Sequence, residues 1–169
     1  MVIKAESRGG VDMTDVHSAD TRSRNMSAVK GKNTKPELLL RKMLFGRGFR
    51  FRLHREDLPG EPDIVLPKFK AVIFVHGCFW HGHIGCPKAR LPATNQNFWK
   101  EKITTNQERD QRNTYALSEM GWRVLEVWEC ALRGRGRLEF GELSNWVTDW
   151  ICCGVDLETI EGNKGDAYN

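Results

Sequence analysis

The first clear periodicity begins at Thr34-Lys35-Pro36-Glu37, where a hydroxyl residue is followed three positions later by a carboxylate. Such a capping box satisfies orphan N–H groups at a helix start, and a proline in the first turn costs nothing. Leu38, Leu39, Met43 and Leu44 then supply an apolar helical face, which Gly46 and Gly48 end. Residues 49–54 are extended, Leu58-Pro59-Gly60-Glu61-Pro62 is a turn, and residues 63–66 and 71–75 read as strands joined by Pro67-Lys68-Phe69-Lys70. Ala71-Val72-Ile73-Phe74-Val75 is apolar throughout, as a strand covered on both faces should be. A loop of Gly, His and Cys follows to about residue 96. Beyond it the pattern predicts a long helix over 97–120, a strand over 122–128 and an amphipathic helix over 143–152 with Trp146 and Trp150. The order α, β, β, β, α, β, α predicts an α/β fold, one small mixed central sheet flanked by helices.

A chain of 169 residues with 40% hydrophobic content fits one domain with a real core. No apolar run approaches the roughly 18 to 20 residues needed to span a bilayer, and residues 1–20 lack the apolar stretch of a secretory signal, so a cytoplasmic protein with no membrane contact is expected. Those twenty residues mix Gly, Ser, Asp and Lys and read as a flexible N-terminal arm. The folded domain is expected over 21–153 and an acidic tail over 154–169. The net charge of +4 is unevenly spread: Arg22, Arg24, Lys30, Lys32 and Lys35 face no acid between residues 21 and 35. That basic lead-in is either a solvated segment or a contact for a polyanion.

Five cysteines are an odd count in this setting, which favours metal binding over disulfides. Cys78, His83 and Cys86 have metal-ligand spacing, and Cys130, just after a strand, can complete a tetrahedron; His81 is the competing histidine. Four protein ligands would make a structural Zn2+ site, whereas small apolar packing is the bland role of cysteine.

Pro62-Asp63 opens one strand and Val75-His76 closes the next, the arrangement in which sheet nucleases of the PD-(D/E)xK type gather a hard divalent cation. The usual E-x-K is replaced by Phe74-Val75-His76, so only the Val75 carbonyl and an imidazole are offered there. Asp110, on the long helix, is placed either to orient a histidine such as His81 or to pair with Arg109, Arg112 or Arg133.

Thr21-Arg22-Ser23-Arg24-Asn25-Met26, Pro62-Asp63, His76-Gly77-Cys78-Phe79-Trp80-His81, Phe98-Trp99, Glu108-Arg109-Asp110 and Gly121-Trp122-Arg123-Val124-Leu125-Glu126-Val127-Trp128-Glu129-Cys130 resemble the very-short-patch repair (Vsr) endonucleases, from about residue 20 to 152. The resemblance implies a restriction-endonuclease-like fold and an endonuclease domain over 21–153. It implies Mg2+ held by Asp63 and the Val75 carbonyl, His81 supported by Asp110 as general base, and His76 near the phosphate. Glu37 matches an active-site acid, although capping explains it equally well. Zn2+ would sit on Cys78, His83, Cys86 and Cys130. Phe79, Trp80 and Trp99 would wedge between base pairs, with Met26 entering from the opposite groove, while Arg22, Arg24, Lys30 and Lys32 contact phosphates.

The implied activity is nicking 5′ to the thymine of a T:G mismatch left by deamination of 5-methylcytosine. The enzyme would act as a monomer on double-stranded DNA in the nucleoid, with mismatch-repair or DNA polymerase partners downstream. Two rivals stand beside it: a restriction or junction endonuclease of the same fold, and a non-catalytic zinc-dependent DNA-binding module.

Overall fold

The computed structural model describes residues 31–163. The expected arm over 1–20, together with Arg22, Arg24, Met26 and Lys30, lies outside the described residues. Helix α1 (Lys35–Gly46) starts with the expected capping box: Thr34 Oγ1 accepts from Glu37 N–H, and the Glu37 carboxylate accepts from Thr34 N–H. Strands β1 (Ile64–Leu66) and β2 (Ala71–His76) follow, then helix α2 (Gln96–Glu119), strand β3 (Arg123–Trp128), the short helix α3 (Glu129–Leu132), helix α4 (Phe140–Cys153) and strand β4 (Leu157–Ile160).

The sheet runs in the order β1-β2-β3-β4. The β1–β2 pair is antiparallel, as its short connection requires, and β2–β3 and β3–β4 are parallel, with α2 and α4 as crossovers. Side chains alternate across the two faces. Ile64, Leu66, Ala71, Ile73, Leu125 and Val127 pack with α1 and α4, whereas Val65, Val72 and Val124 pack with Leu117 of α2. This parity also puts His76, Glu126 and Trp128 on the α2 side of the sheet.

Three sequence expectations change. The apolar face of α1 is Leu40, Met43 and Leu44; Leu38 and Leu39 are exposed, because helical spacing from Met43 and Leu44 selects residue 40. Residues 49–54 make only one isolated bridge, Arg52 to Val65, as β1 is three residues long. Residues 154–169, expected as an acidic tail, contribute β4: only Ile160 of that strand is buried, so four residues carry no readable alternation. Among the described residues, no helix is long and apolar enough to cross a membrane.

Arg123 ties these layers together. Its guanidinium donates to the carbonyls of Trp150, Ile151 and Gly154 at the end of α4, and to Phe69 O before β2, at 2.7 to 3.2 Å. Helix α4 has no basic residue in its own last turn, so a neighbouring strand supplies the cation. Arg123→Met is expected to cost about 2 to 4 kcal/mol, since several partly buried carbonyls lose a charged donor. Urea unfolding checks this, and a midpoint within error of wild type would show that water replaces the guanidinium.

Candidate active site

The site is built at the carboxyl ends of β2 and β3. Because these strands are parallel with His76 opposite Trp128, Cys78 and Cys130, each two residues further on, leave the sheet side by side. The loop between them is held down by α2: Asn106 donates to Trp80 O, and Gln107 donates to His81 O and Gly82 O. Gly82 sits at φ +63, and a Cβ there would lie 2.6 Å from Ile103 and 2.7 Å from Gln107, so the loop can lie flush on the helix only with glycine. The inward stripe of α2 has helical spacing, yet it reads Asn106, Gln107, Asp110, Asn113, Thr114 before its one buried residue, Leu117. A stripe facing only a core would be apolar.

Asp110 reaches from that stripe to His81. Nδ1 of His81 lies 2.5 Å from Asp110 Oδ2 and 3.0 Å from Nδ1 of His76. A carboxylate accepts only, so the proton sits on His81 Nδ1 and its Nε2 carries the lone pair. His76 is buried, and burial followed by the nearby His81 pushes its pKa down to about 3, so it stays neutral. Its Nε2 faces Glu126 at 4.0 Å. A cleft of about 470 Å³ opens here, lined among others by His76, His81, Asp110, Glu126, Trp128 and Glu161. Glu126 is itself held above the usual carboxylate range by burial and by Asp110.

Asp63 lies at the β1 edge of β2, where Val75 N–H donates to its Oδ2 at 2.7 Å. Within a strand, N–H and C=O of one residue point to the same side. The Val75 carbonyl therefore faces the Asp63 edge, beyond Ile64 where β1 begins. Burial pushes the Asp63 pKa up to about 7 despite the Val75 N–H, and Glu37 adds to the rise. A carboxylate so short of solvation, beside a carbonyl that lies past the last β1–β2 pair among the described residues, suits a hard cation.

A second layer supports Asp63. His54 Nδ1 is 3.8 Å from Asp63 Oδ1, and its Nε2 faces Arg41 Nη2 at 3.0 Å. Arg41 also donates to Glu37 and to Asn33 Oδ1, both at 2.6 Å. The donor nature of Arg41 puts the His54 proton on Nδ1, toward Asp63. Glu37, His54 and Asp63 thus converge, with Glu37 both capping α1 and pairing with Arg41. His54 and Glu61, at the two ends of the loop before Asp63, adopt left-handed backbone angles of +46 and +47°.

The donor atoms of Cys78, His83, Cys86 and Cys130 all lie within 4.8 Å of one another. Ligand atoms on a tetrahedral zinc are about 3.5 to 3.8 Å apart, so the set can hold a metal after small adjustments. A hydrogen bond from Cys78 lowers the Cys130 thiol below its ordinary value. Cys152 and Cys153 are exposed and stand apart from this group.

Phe79, Trp80 and Trp99 join neither apolar core. Their rings meet edge to face, Phe79 at 5.2 Å from both tryptophans, and Phe98, 58% exposed, extends the group beyond Trp99. Lys32 is exposed and pairs with Glu61 at 2.7 Å. Sequence reading missed His54, Arg41, Glu126 and Glu161. The sequence held no signal for His54, since its place opposite residue 63 follows from the Arg52–Val65 bridge that only the fold shows.

Comparison with known proteins relates the chain to DNA endonucleases. A family model described as DNA mismatch endonuclease Vsr matches residues 14–87. The chain is 49% identical over 140 residues to the DNA mismatch endonuclease Vsr of Escherichia coli strain K12, covering 83% of this chain and 89% of that one. It is 52% identical over 127 residues to the type II nicking enzyme V.XorIIP of Xanthomonas oryzae pv. oryzae, covering 75% and 93%. With V.NmeAIP of Neisseria meningitidis serogroup A it shares 49% over 123 residues, covering 73% and 87%. Fold, site and relatives together define a DNA endonuclease. The chain belongs to the Vsr family of DNA mismatch endonucleases.

The raised pKa of Asp63 carries a stability consequence. An unfolded aspartate titrates near 4, so the folded state favours the protonated form: the stabilisation is intact below about 4 and lost as pH rises through about 7. In metal-free protein at about pH 8, Asp63→Asn is expected to raise the thermal midpoint by several degrees, each pKa unit being worth about 1.4 kcal/mol. The gap should close toward pH 4. Melts across this range with chelator test it, and a lower midpoint for the variant at pH 8 would show that Arg41 and His54 already stabilise the ionised carboxylate.

Proposed function

We propose that this endonuclease nicks one strand 5′ to the thymine of a T:G mismatch, leaving 3′-hydroxyl and 5′-phosphate ends, on a restriction-endonuclease-like scaffold of the PD-(D/E)xK type stapled by Zn2+. The observation that carries the reading is the pairing of a cation-suited edge, Asp63 with Val75, and an oriented base, His81 with Asp110, around neighbouring strand ends.

Asp63 and the Val75 carbonyl would hold Mg2+, which when bound neutralises phosphate charge and acidifies an attacking water. His81 takes the proton of the water at Nε2, and Asp110 stabilises the imidazolium that results. His76, neutral and packed against His81, keeps that ring aligned and borders the phosphate position. Arg41 and Glu37 fix His54, and His54 steadies Asp63. Zinc on Cys78, His83, Cys86 and Cys130 would fasten the loop that carries His81, Phe79 and Trp80.

Phe79, Trp80 and Trp99 would enter the duplex as a wedge, with Met26 from the opposite groove. Unstacking costs a few kcal/mol and is cheaper at a wobble pair, which selects the mismatch. Arg22, Arg24, Lys30 and Lys32 would bind phosphates and give affinity without sequence choice. Such lesions arise by deamination of 5-methylcytosine. A cytosine methyltransferase is therefore the expected companion, with mismatch-repair proteins or a DNA polymerase downstream; the enzyme acts as a monomer in the nucleoid of the cytoplasm.

The deciding assay presents T:G, matched and branched oligonucleotides with Mg2+ or with chelator. Nicking of one T:G strand only with Mg2+ is expected; equal cutting of matched or branched DNA would make it a restriction or junction enzyme. Asp63→Ala should lose nicking and retain mismatch binding, and a wild type as inert as the variant would leave only a binding module. Phe79→Ala combined with Trp80→Ala should lower the T:G preference about tenfold or more, since an aromatic stack on a base is worth about 1 to 3 kcal/mol. An unchanged ratio of T:G to matched binding would remove the wedge.

A further inference from the structure

The residues just after β4 close over the four-ligand cluster. Glu161 Oε2 lies 2.7 Å from His83 Nε2, while Nδ1 of the same ring faces Cys130 Sγ at 3.4 Å. One nitrogen of His83 therefore meets a carboxylate and the other meets the Cys130 sulfur. Since a carboxylate accepts, the proton rests on Nε2 and the Nδ1 lone pair points into the cluster. Trp128 stacks on the ring at 4.1 Å and 9° between planes, which fixes its tilt.

The next two residues add independent contacts. Gly162 N–H donates to Cys130 Sγ at 3.3 Å, and Asn163 N–H donates to Gly136 O at 2.8 Å. A Cβ on Gly162 would lie 2.4 Å from Cys130 O and 2.5 Å from Gly136 O, both backbone atoms that cannot swing aside. The segment is thus fitted against the α3 turn that carries Cys130.

We propose that Glu161 is a positioning residue of the Cys78–His83–Cys86–Cys130 metal centre, presenting His83 in its metal-binding tautomer, and that Gly162 completes this outer layer by hydrogen bonding to the Cys130 sulfur. The proposal rests on the reading that the cluster holds zinc. It makes the residues after β4 part of the metal centre, although they supply none of its ligands.

The test uses full-length protein loaded with zinc: wild type, Glu161→Ala, Glu161→Gln and, as a charge control in the same segment, Asp156→Asn. Competition against a chromophoric chelator should show zinc affinity reduced about 10- to 100-fold in Glu161→Ala. It should be largely recovered in Glu161→Gln, whose side-chain carbonyl still accepts from Nε2, and unchanged in Asp156→Asn. The visible ligand-field bands of the cobalt-substituted protein should shift in Glu161→Ala. Midpoints of the chelator-treated proteins should coincide, because the role is exerted through the metal.

Stoichiometric zinc with equal affinity in wild type and Glu161→Ala overturns the proposal. So does an equal loss of midpoint with and without metal, which would make Glu161 a fold residue. Wild type that binds no zinc overturns the metal reading itself, an outcome separable from the other two.

Discussion

The histidine pair and the cysteine cluster of this protein both follow from the parallel pairing of β2 and β3 with His76 opposite Trp128. Parallel strands bring like ends together, so the loop after one and the helix after the other must leave the sheet at the same edge. The soft-ligand cluster forms across that edge, and the imidazole pair forms just inside it. Side-chain parity decides which groups see α2. A slip of one residue would turn His76 toward α1 and α4 and send Val75 into the cleft. Apolar residues on both faces of β2 hold the register, so the hydrophobic core sets the catalytic geometry.

The chain's main elements were legible because they depend on local rules. The capping box marked α1, the apolar run marked β2, and the polar length of α2 was visible within a residue or two of its ends. Cys78, His83, Cys86 and Cys130 converge, as do His81 and Asp110; spacing alone left His81 in competition with His83 and Asp110 open to an arginine partner, and the family resemblance chose between them. What escaped was long-range. β4 carries one buried residue, too few for a pattern. His54 meets Asp63 through one bridge of register, and Arg41 serves them from the face of α1, which sequence alone reads as an ordinary helical cation. Glu161 is a charged residue after a short edge strand, and only the fold shows which ring it meets.

The site is polar where the rest of the fold is apolar, and its charges are arranged to tolerate that. Arg41 neutralises Glu37 within a nearly dry pocket, a buried pair whose partners also find Asn33 and His54. Such a pair adds little net stability and mainly fixes geometry. Asp63 is the exception: among the described residues no lysine or arginine pairs with it, and its close donor is the Val75 amide. The polar stripe of α2 lets this region remain open to water and substrate without exposing a core.

The two left-handed residues that bracket the loop before Asp63, His54 and Glu61, carry one last implication. Side chains of L-residues resist that conformation by roughly 1 to 2 kcal/mol each, so the surrounding packing must hold the bend in place. The carboxylate is consequently aimed in advance, so that binding of the proposed cation there would not include the entropy of ordering a slack loop. Rigidity set during folding would then count toward affinity at the moment of encounter.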